Sequence, residues 1–149
     1  MEILLREITG SDAESIVLLS SQLGYDISLA DMKTNIEMMG KQKDNTVFVA
    51  EHDKKVIGWI GVAFVLTIQS LPFGEIRGLV VDEQSRNRQV GKLLIEKAAG
   101  WCRQKRCSLF KVKCNTKRKE THAFYRHLGF TEKKEQKVFE KNLEITSAP

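Results

Sequence analysis

The sequence predicts a single α/β (α+β) domain in which about four helices flank a mixed, mostly antiparallel sheet of about seven strands, in the order β-α-α-β-β-β-α-β-α-β-β. Three observations lead there. Short runs of β-branched and aromatic residues recur between turn signals, as in Thr46-Val47-Phe48-Val49-Ala50 and Leu109-Phe110-Lys111-Val112-Lys113-Cys114. Other stretches place apolar residues at three- and four-residue steps, most clearly Val90, Leu93, Leu94, Ala98, Trp101 and Cys102. The 149 residues, 42% hydrophobic and 29% charged, suffice for one continuous core and no more, so one domain over 1–149 is expected.

Each element has its own signal. Residues 3–8 read as a short first strand. Ser11 and Asp12 offer capping oxygens for a helix that puts Ile16, Leu19 and Leu23 on one face and stops near Gly24. Ser28 opens a second helix to about residue 39. After the strand at 46–50, Asp53-Lys54-Lys55 turns the chain into a longer apolar strand at 56–66. Leu71-Pro72-Phe73-Gly74 is turn-like, and 75–81 is a central strand with little polar relief, as expected where both faces are covered. The long helix spans 90–106, a half-wet strand 109–114, and a short helix 120–128 that closes at Gly129. Strands at 130–131 and 138–143 complete the order, the latter by its alternation. One parallel step is expected where the long helix crosses over.

Composition excludes several classes. The apolar run 56–68 is broken by Gly58, Gly61 and Thr67 and is too short for a membrane span. The first residues lack a basic leader followed by an apolar stretch, so no signal peptide is expected, and the expected location is cytoplasmic. Cys102, Cys107 and Cys114 form no C-x-x-C pair, and neither His122 nor His127 completes a zinc spacing, so neither metal nor disulfide is expected. The net charge of +5 is unevenly spread: residues 1–85 carry −6, residues 86–119 carry +11, and the remainder is neutral. A basic segment of that density suits a polyanion, either nucleic acid or a phosphorylated cofactor, while the acidic first half argues against a uniformly basic nucleic-acid coat.

The basic segment begins at a strand–loop–helix junction. Leu79-Val80-Val81 and Asp82-Glu83-Gln84-Ser85 lead into Arg86-Asn87-Arg88-Gln89-Val90-Gly91-Lys92 and the long helix. A helix start exposes N–H groups without intrahelical partners, and its dipole adds partial positive charge, which matches a pyrophosphate. Gly91 permits close backbone approach, and Arg86, Arg88 and Lys92 add donors and charge. The competing reading is a solvated basic helix start.

Arg86 to Gly91 resembles the R-x-x-G-x-G/A loop of the GCN5-related N-acetyltransferase (GNAT) superfamily. Downstream, His122-Ala123-Phe124-Tyr125-Arg126-His127-Leu128-Gly129-Phe130 is similar to that family's A-x-x-F/L-Y-x-x-x-G-F segment, and Val56-Ile57-Gly58-Trp59 resembles its V-x-G hairpin. Gln89 and Asn87 stand where the family has glycines; a backbone needing positive φ would strain Gln89 more than Asn87.

The resemblance implies a GNAT fold and transfer of an acetyl group from acetyl-CoA to a primary amine that attacks the thioester directly. It implies cofactor contacts from Leu79, Val80 and Val81, from Arg86 to Lys92 (Arg86, Asn87, Arg88, Gln89, Val90, Gly91, Lys92), and from Asn115 and Thr121. Val80 and Val81 would polarise the thioester carbonyl through their amides. Tyr125 would be the acid for the departing thiolate, and Glu75 the base, in the place where the histone-modifying branch carries its glutamate. Without the family pattern, Tyr125 reads as a packed aromatic and Glu75 as an exposed strand-end carboxylate or a partner of Arg77. The acceptor is expected to be a small-molecule amine, with a protein lysine or amino terminus as the other possibility, and a homodimer through the last strands is compatible with the pattern. Two readings compete: a non-catalytic acyl-CoA-binding module and a nucleic-acid-binding domain built on 86–119.

Overall fold

A computed structural model describes residues 2–145, apart from the side chains of Asn87 and Arg88. The chain divides into two compact units, one up to Lys113 and one from Cys114 onward. The first unit holds a five-stranded sheet in the order β1-β2-β3-β4-β5, formed by Leu4–Glu7, Asn45–His52, Lys55–Val65, Phe73–Val81 and Phe110–Val112. Three antiparallel pairings are followed by one parallel pairing, β4 with β5. Between those two strands runs α3, Val90–Gln104, the crossover expected of a parallel step. The turn-like reading of Phe73-Gly74 is corrected, because both residues belong to β4 and pair with β3.

The helices divide the sheet into two faces. On one, α1 (Ala13–Ser21) buries Ile16 and Leu19 against Val49, Val56 and Val80, with Leu23, Met32 and Trp59 packed around them. Each such aliphatic side chain contributes roughly 1.5–3 kcal/mol on burial. Asp12 ties the entry to α1 by accepting the Thr9 amide at 2.8 Å. Ser28 caps α2 (Leu29–Gly40) through the Asp31 amide at 3.1 Å. On the other face, α3 buries Val90, Leu94, Ile95, Ala98 and Cys102. Its two ends rest on glycines: Val90 and Leu94 flank Gly58, and Cys102 lies where a Cβ on Gly74 would stand. So α3 starts beside the β4 end at Val81, the register partner of Gly58, and finishes beside its beginning.

The second unit contains α4, Lys119–His127. Gly129, at φ 93°, closes it as expected of a left-handed cap, with the Phe130 amide reaching back to the Tyr125 carbonyl at 3.0 Å. The expected sheet of about seven strands is corrected to five among the described residues. Neither 130–131 nor 138–143 forms a strand. Alternation makes a segment amphipathic, but a strand also needs a neighbour for its N–H and C=O groups. Val138, Phe139, Leu143 and Ile145 are instead 73–95% exposed.

Candidate active site

The sheet opens at β4, and its pairing shows why. Gly61 lies opposite Gly78 and Val62 opposite Ile76, so Arg77 is the extra residue of a β-bulge. A bulge bends its strand and sharpens the local twist. β5 pairs with β4 only at Gly74, Glu75 and Ile76, immediately before the bulge, whereas β4 continues to Val81. Asp82 donates its amide to the Ile57 carbonyl of β3 at 2.8 Å. Because strand amides alternate in direction, Val80 also turns its amide to β3, while Leu79 and Val81 direct theirs to the side that β5 has left, so the expected carbonyl-facing role of the Val80 amide is corrected: that amide is spent on the sheet. The Val80 side chain, 1% exposed, belongs to the core. The arrangement thus offers two aligned backbone donors on an open strand edge.

Beyond β4 the chain forms a short 3-10 turn, Glu83–Arg88, before α3. Asp82 caps it: its carboxylate accepts the Gln84 amide at 3.3 Å, and its carbonyl accepts the Ser85 amide at 2.8 Å. Gln22, just past α1, clamps the same point, accepting the Glu83 amide at 3.1 Å and donating to Asp82 Oδ1 at 3.5 Å. Lys55 stands 3.8 Å from Asp82. Gln89 caps α3 in the left-handed region, at φ 58° and ψ 21°, the strain anticipated for a residue in a glycine's usual place. Val90 is fully buried and has only its amide to offer a ligand, while Arg86, Gln89 and Lys92 are exposed and Gly91 half-buried. The Asn87 and Arg88 side chains lie outside the described residues. A helix start flanked by two exposed cations fits a diphosphate, and the open β4 edge fits an amide-bearing arm extending from it.

Glu75 sits at the opposite end of β4, just before the bulge. Gly74 faces α3, so Glu75 points to the other face of the sheet. It is 5% exposed, with Oε1 2.9 Å from Arg77 Nη1 and Oε2 3.7 Å from Lys113 Nζ. Lys111, its register partner on β5, lies over the Phe73 ring at 4.0 Å. Sequence spacing suggested Arg77 as a partner. Lys113 carried no such signal, because only the parallel register of β5 brings it there.

In the second unit, Tyr125 is 7% exposed and makes edge contacts with Phe124 and Phe130 at 5.2 and 5.3 Å. Asn115 closes a local turn: its side-chain oxygen accepts the Lys117 amide at 2.9 Å, and its carbonyl pairs with His122 Nε2 at 2.8 Å. Thr121 is half-buried on the first turn of α4. Among the described residues no cluster of His, Cys, Asp or Glu could hold a metal. The three cysteines are free thiols; burial pushes Cys102 up to about 11, so it is no nucleophile near neutrality. Cavities of about 280 and 220 Å³ meet at Glu7 and Trp101, beneath α3 and away from the open β4 edge. Neither is lined by Leu79, Val81 or Glu75.

Comparison with known proteins identifies the family and the fold. A sequence profile of the Acetyltransferase (GNAT) family matches residues 16–130. An uncharacterised N-acetyltransferase of Chlorobaculum tepidum is 43% identical over 51 residues, which cover 34% of this chain and 30% of that protein. The aminoglycoside 6'-N-acetyltransferase AAC(6')-Ih of Acinetobacter baumannii superposes with a TM-score of 0.83 at 20% identity, over 96% of this chain and 100% of that one. The aminoglycoside N-acetyltransferase AAC(6')-Iy, in complex with CoA, gives 0.85 at 20% identity, over 95% and 96%. At such identity the two structures establish the fold.

Proposed function

Because the chain belongs to the Acetyltransferase (GNAT) family, whose members move an acetyl group from acetyl-CoA to an amine, we propose that it is an N-acetyltransferase acting on a primary amine of a small molecule. The observation that carries this reading is the pair of freed amides on Leu79 and Val81, on the edge of β4 that leads into the diphosphate-fitting loop. Acetyl-CoA supplies an acetyl group already activated as a thioester. The start of α3, with Arg86 and Lys92, would hold its diphosphate, and Leu79 and Val81 would hold the arm and face the carbonyl. Roles for Asn87, Arg88, Gln89, Asn115 and Thr121 as further contacts follow the family pattern.

Glu75 receives the proton that the acceptor amine must lose, directly or through water, and Tyr125 returns one to the departing thiolate. The acceptor amine attacks directly, so no residue of the chain need carry the acetyl group. Both units belong to one catalytic domain in this reading, supported by a family match that spans them. A cytoplasmic location belongs to the same reading. A homodimer does too, supported by the exposed Val138, Phe139, Leu143 and Ile145.

Thiol release from acetyl-CoA over a panel of amines tests the activity; absence of both turnover and CoA binding refutes it. Tyr125→Phe is expected to lower kcat by about 10²-fold while leaving acetyl-CoA affinity within about twofold, measured by steady-state kinetics and calorimetry. Glu75→Gln is expected to lower kcat by about 10²-fold in steady-state kinetics, and an unchanged kcat assigns deprotonation to water alone.

A further inference from the structure

The cations around Glu75 are not needed by the diphosphate. Asp82, where the loop begins, lies five residues beyond Arg77, about 16 Å along the strand at 3.3 Å per residue. The start of α3 lies at that far end too, beside Gly58, whereas Cys102 near the helix's other end packs on Gly74, next to Glu75. The two positive regions also occupy opposite faces of β4. Phe73, Glu75, Lys111 and Lys113 share the face away from α3, as the contacts of Lys111 with Phe73 and of Lys113 with Glu75 require.

Charge at this end of the strand is unbalanced. One buried carboxylate, Glu75, meets Arg77 and Lys113, with Lys111 beside them: three positive charges against one negative. Arg77 and Lys113 keep 55% and 73% of their side chains exposed, so each can pair with Glu75 and still meet a ligand. Resting on the proposed function, in which Glu75 faces the acceptor amine, we infer that the acceptor is an amine that also carries an anionic group, a carboxylate or a phosphate. Its amine approaches Glu75, and its anion is held by Lys111 and Lys113, with Arg77 at the bulge. A polycationic amine places its second charge against this cluster and is repelled. The three cations are therefore specificity residues, and the acidic character of residues 1–85 does not describe the ground around Glu75.

Matched acceptors test this at saturating acetyl-CoA: glucosamine against glucosamine 6-phosphate, alanine against alaninamide, and spermidine as the polycation. The first pair reads a phosphate and the second a carboxylate. In at least one pair the anionic member is expected to have kcat/KM about tenfold higher, through KM. Raising salt from about 0.05 to about 0.5 M should erode that preference. The Lys111→Gln/Lys113→Gln variant should reduce it to within about twofold while leaving CoA affinity by calorimetry unchanged. Titration of each amine into the CoA complex reads the same preference where turnover is slow. Turnover or binding without an anionic preference, or with spermidine favoured, overturns the inference and leaves the acetyltransferase reading standing. Failure to bind CoA at all sinks both.

Discussion

Gln89 shows how one residue records the demands of a site. Its left-handed backbone, at φ 58°, turns the chain from the 3-10 turn into α3, a conformation that costs an L side chain roughly 1–2 kcal/mol and glycine almost nothing. Replacement by glycine also enlarges the unfolded ensemble, which offsets part of the gain. Gln89→Gly is therefore expected to raise stability by up to about 1 kcal/mol, read as a higher denaturation midpoint. Asp12 is a second informative residue. Arg6 grips its carboxylate with two bonds of 2.9 Å, and the side-chain hydrogen bond from Arg6 is the largest cause holding Asp12 below its ordinary 3.8. A depressed carboxylate contributes stability above its unfolded value and loses it as pH falls through the folded one. Acid titration of unfolding should thus show an increment that disappears below about pH 3.8, and Asp12→Asn should lack it, costing about 2 kcal/mol at neutral pH.

At the scale of elements, the site arises from a mismatch between neighbouring strands. β4 runs five residues past its last pairing with β5, and the bulge at Arg77 supplies the bend that separates them. Packing of α3 holds the opening in place through its contact with Gly74. A methyl there would run into Cys102, inside a close-packed interface. Gly74→Ala is expected to destabilise the fold by about 1–3 kcal/mol, and Gly74→Ala/Cys102→Ala to recover part of that loss in chemical denaturation. The Asp53-Lys54 hairpin turn has both residues at positive φ, 49° and 64°, without a glycine. Gln22 joins α1 to the diphosphate-fitting loop through Asp82 and Glu83. Removing it by Gln22→Ala should loosen the loop and weaken acetyl-CoA binding about threefold to tenfold in calorimetry.

For the whole molecule, the uneven charge has a positional meaning. Of the twelve Lys and Arg in residues 86–119, Arg86 and Lys92 lie at the β4 end where α3 starts, and Lys111 and Lys113 lie beside Glu75. Binding of acetyl-CoA to the folded state alone stabilises it by mass action, about 2.7 kcal/mol at one hundred times Kd. Its addition should raise the Tm by several degrees, and a charge-reversed Arg86→Glu/Lys92→Glu variant should lose most of that shift.

Periodicity and turn chemistry, read along the chain, were enough for the four helices, the strands β1 to β5, the Gly129 cap and the strain at Gln89. These depend on neighbours in sequence, where a propensity or a φ requirement acts directly. What rests on long-range pairing had to come from the tertiary structure. The register that makes Arg77 a bulge, the early departure of β5 that turns Leu79 and Val81 outward, the approach of Lys113 to Glu75 and the clamp from Gln22 to Asp82 join residues that sequence spacing does not relate. The same reason explains the error over the last two segments: alternation marked 138–143 as able to be a strand, but the hydrogen bonds that make one depend on a partner strand, which local pattern does not specify.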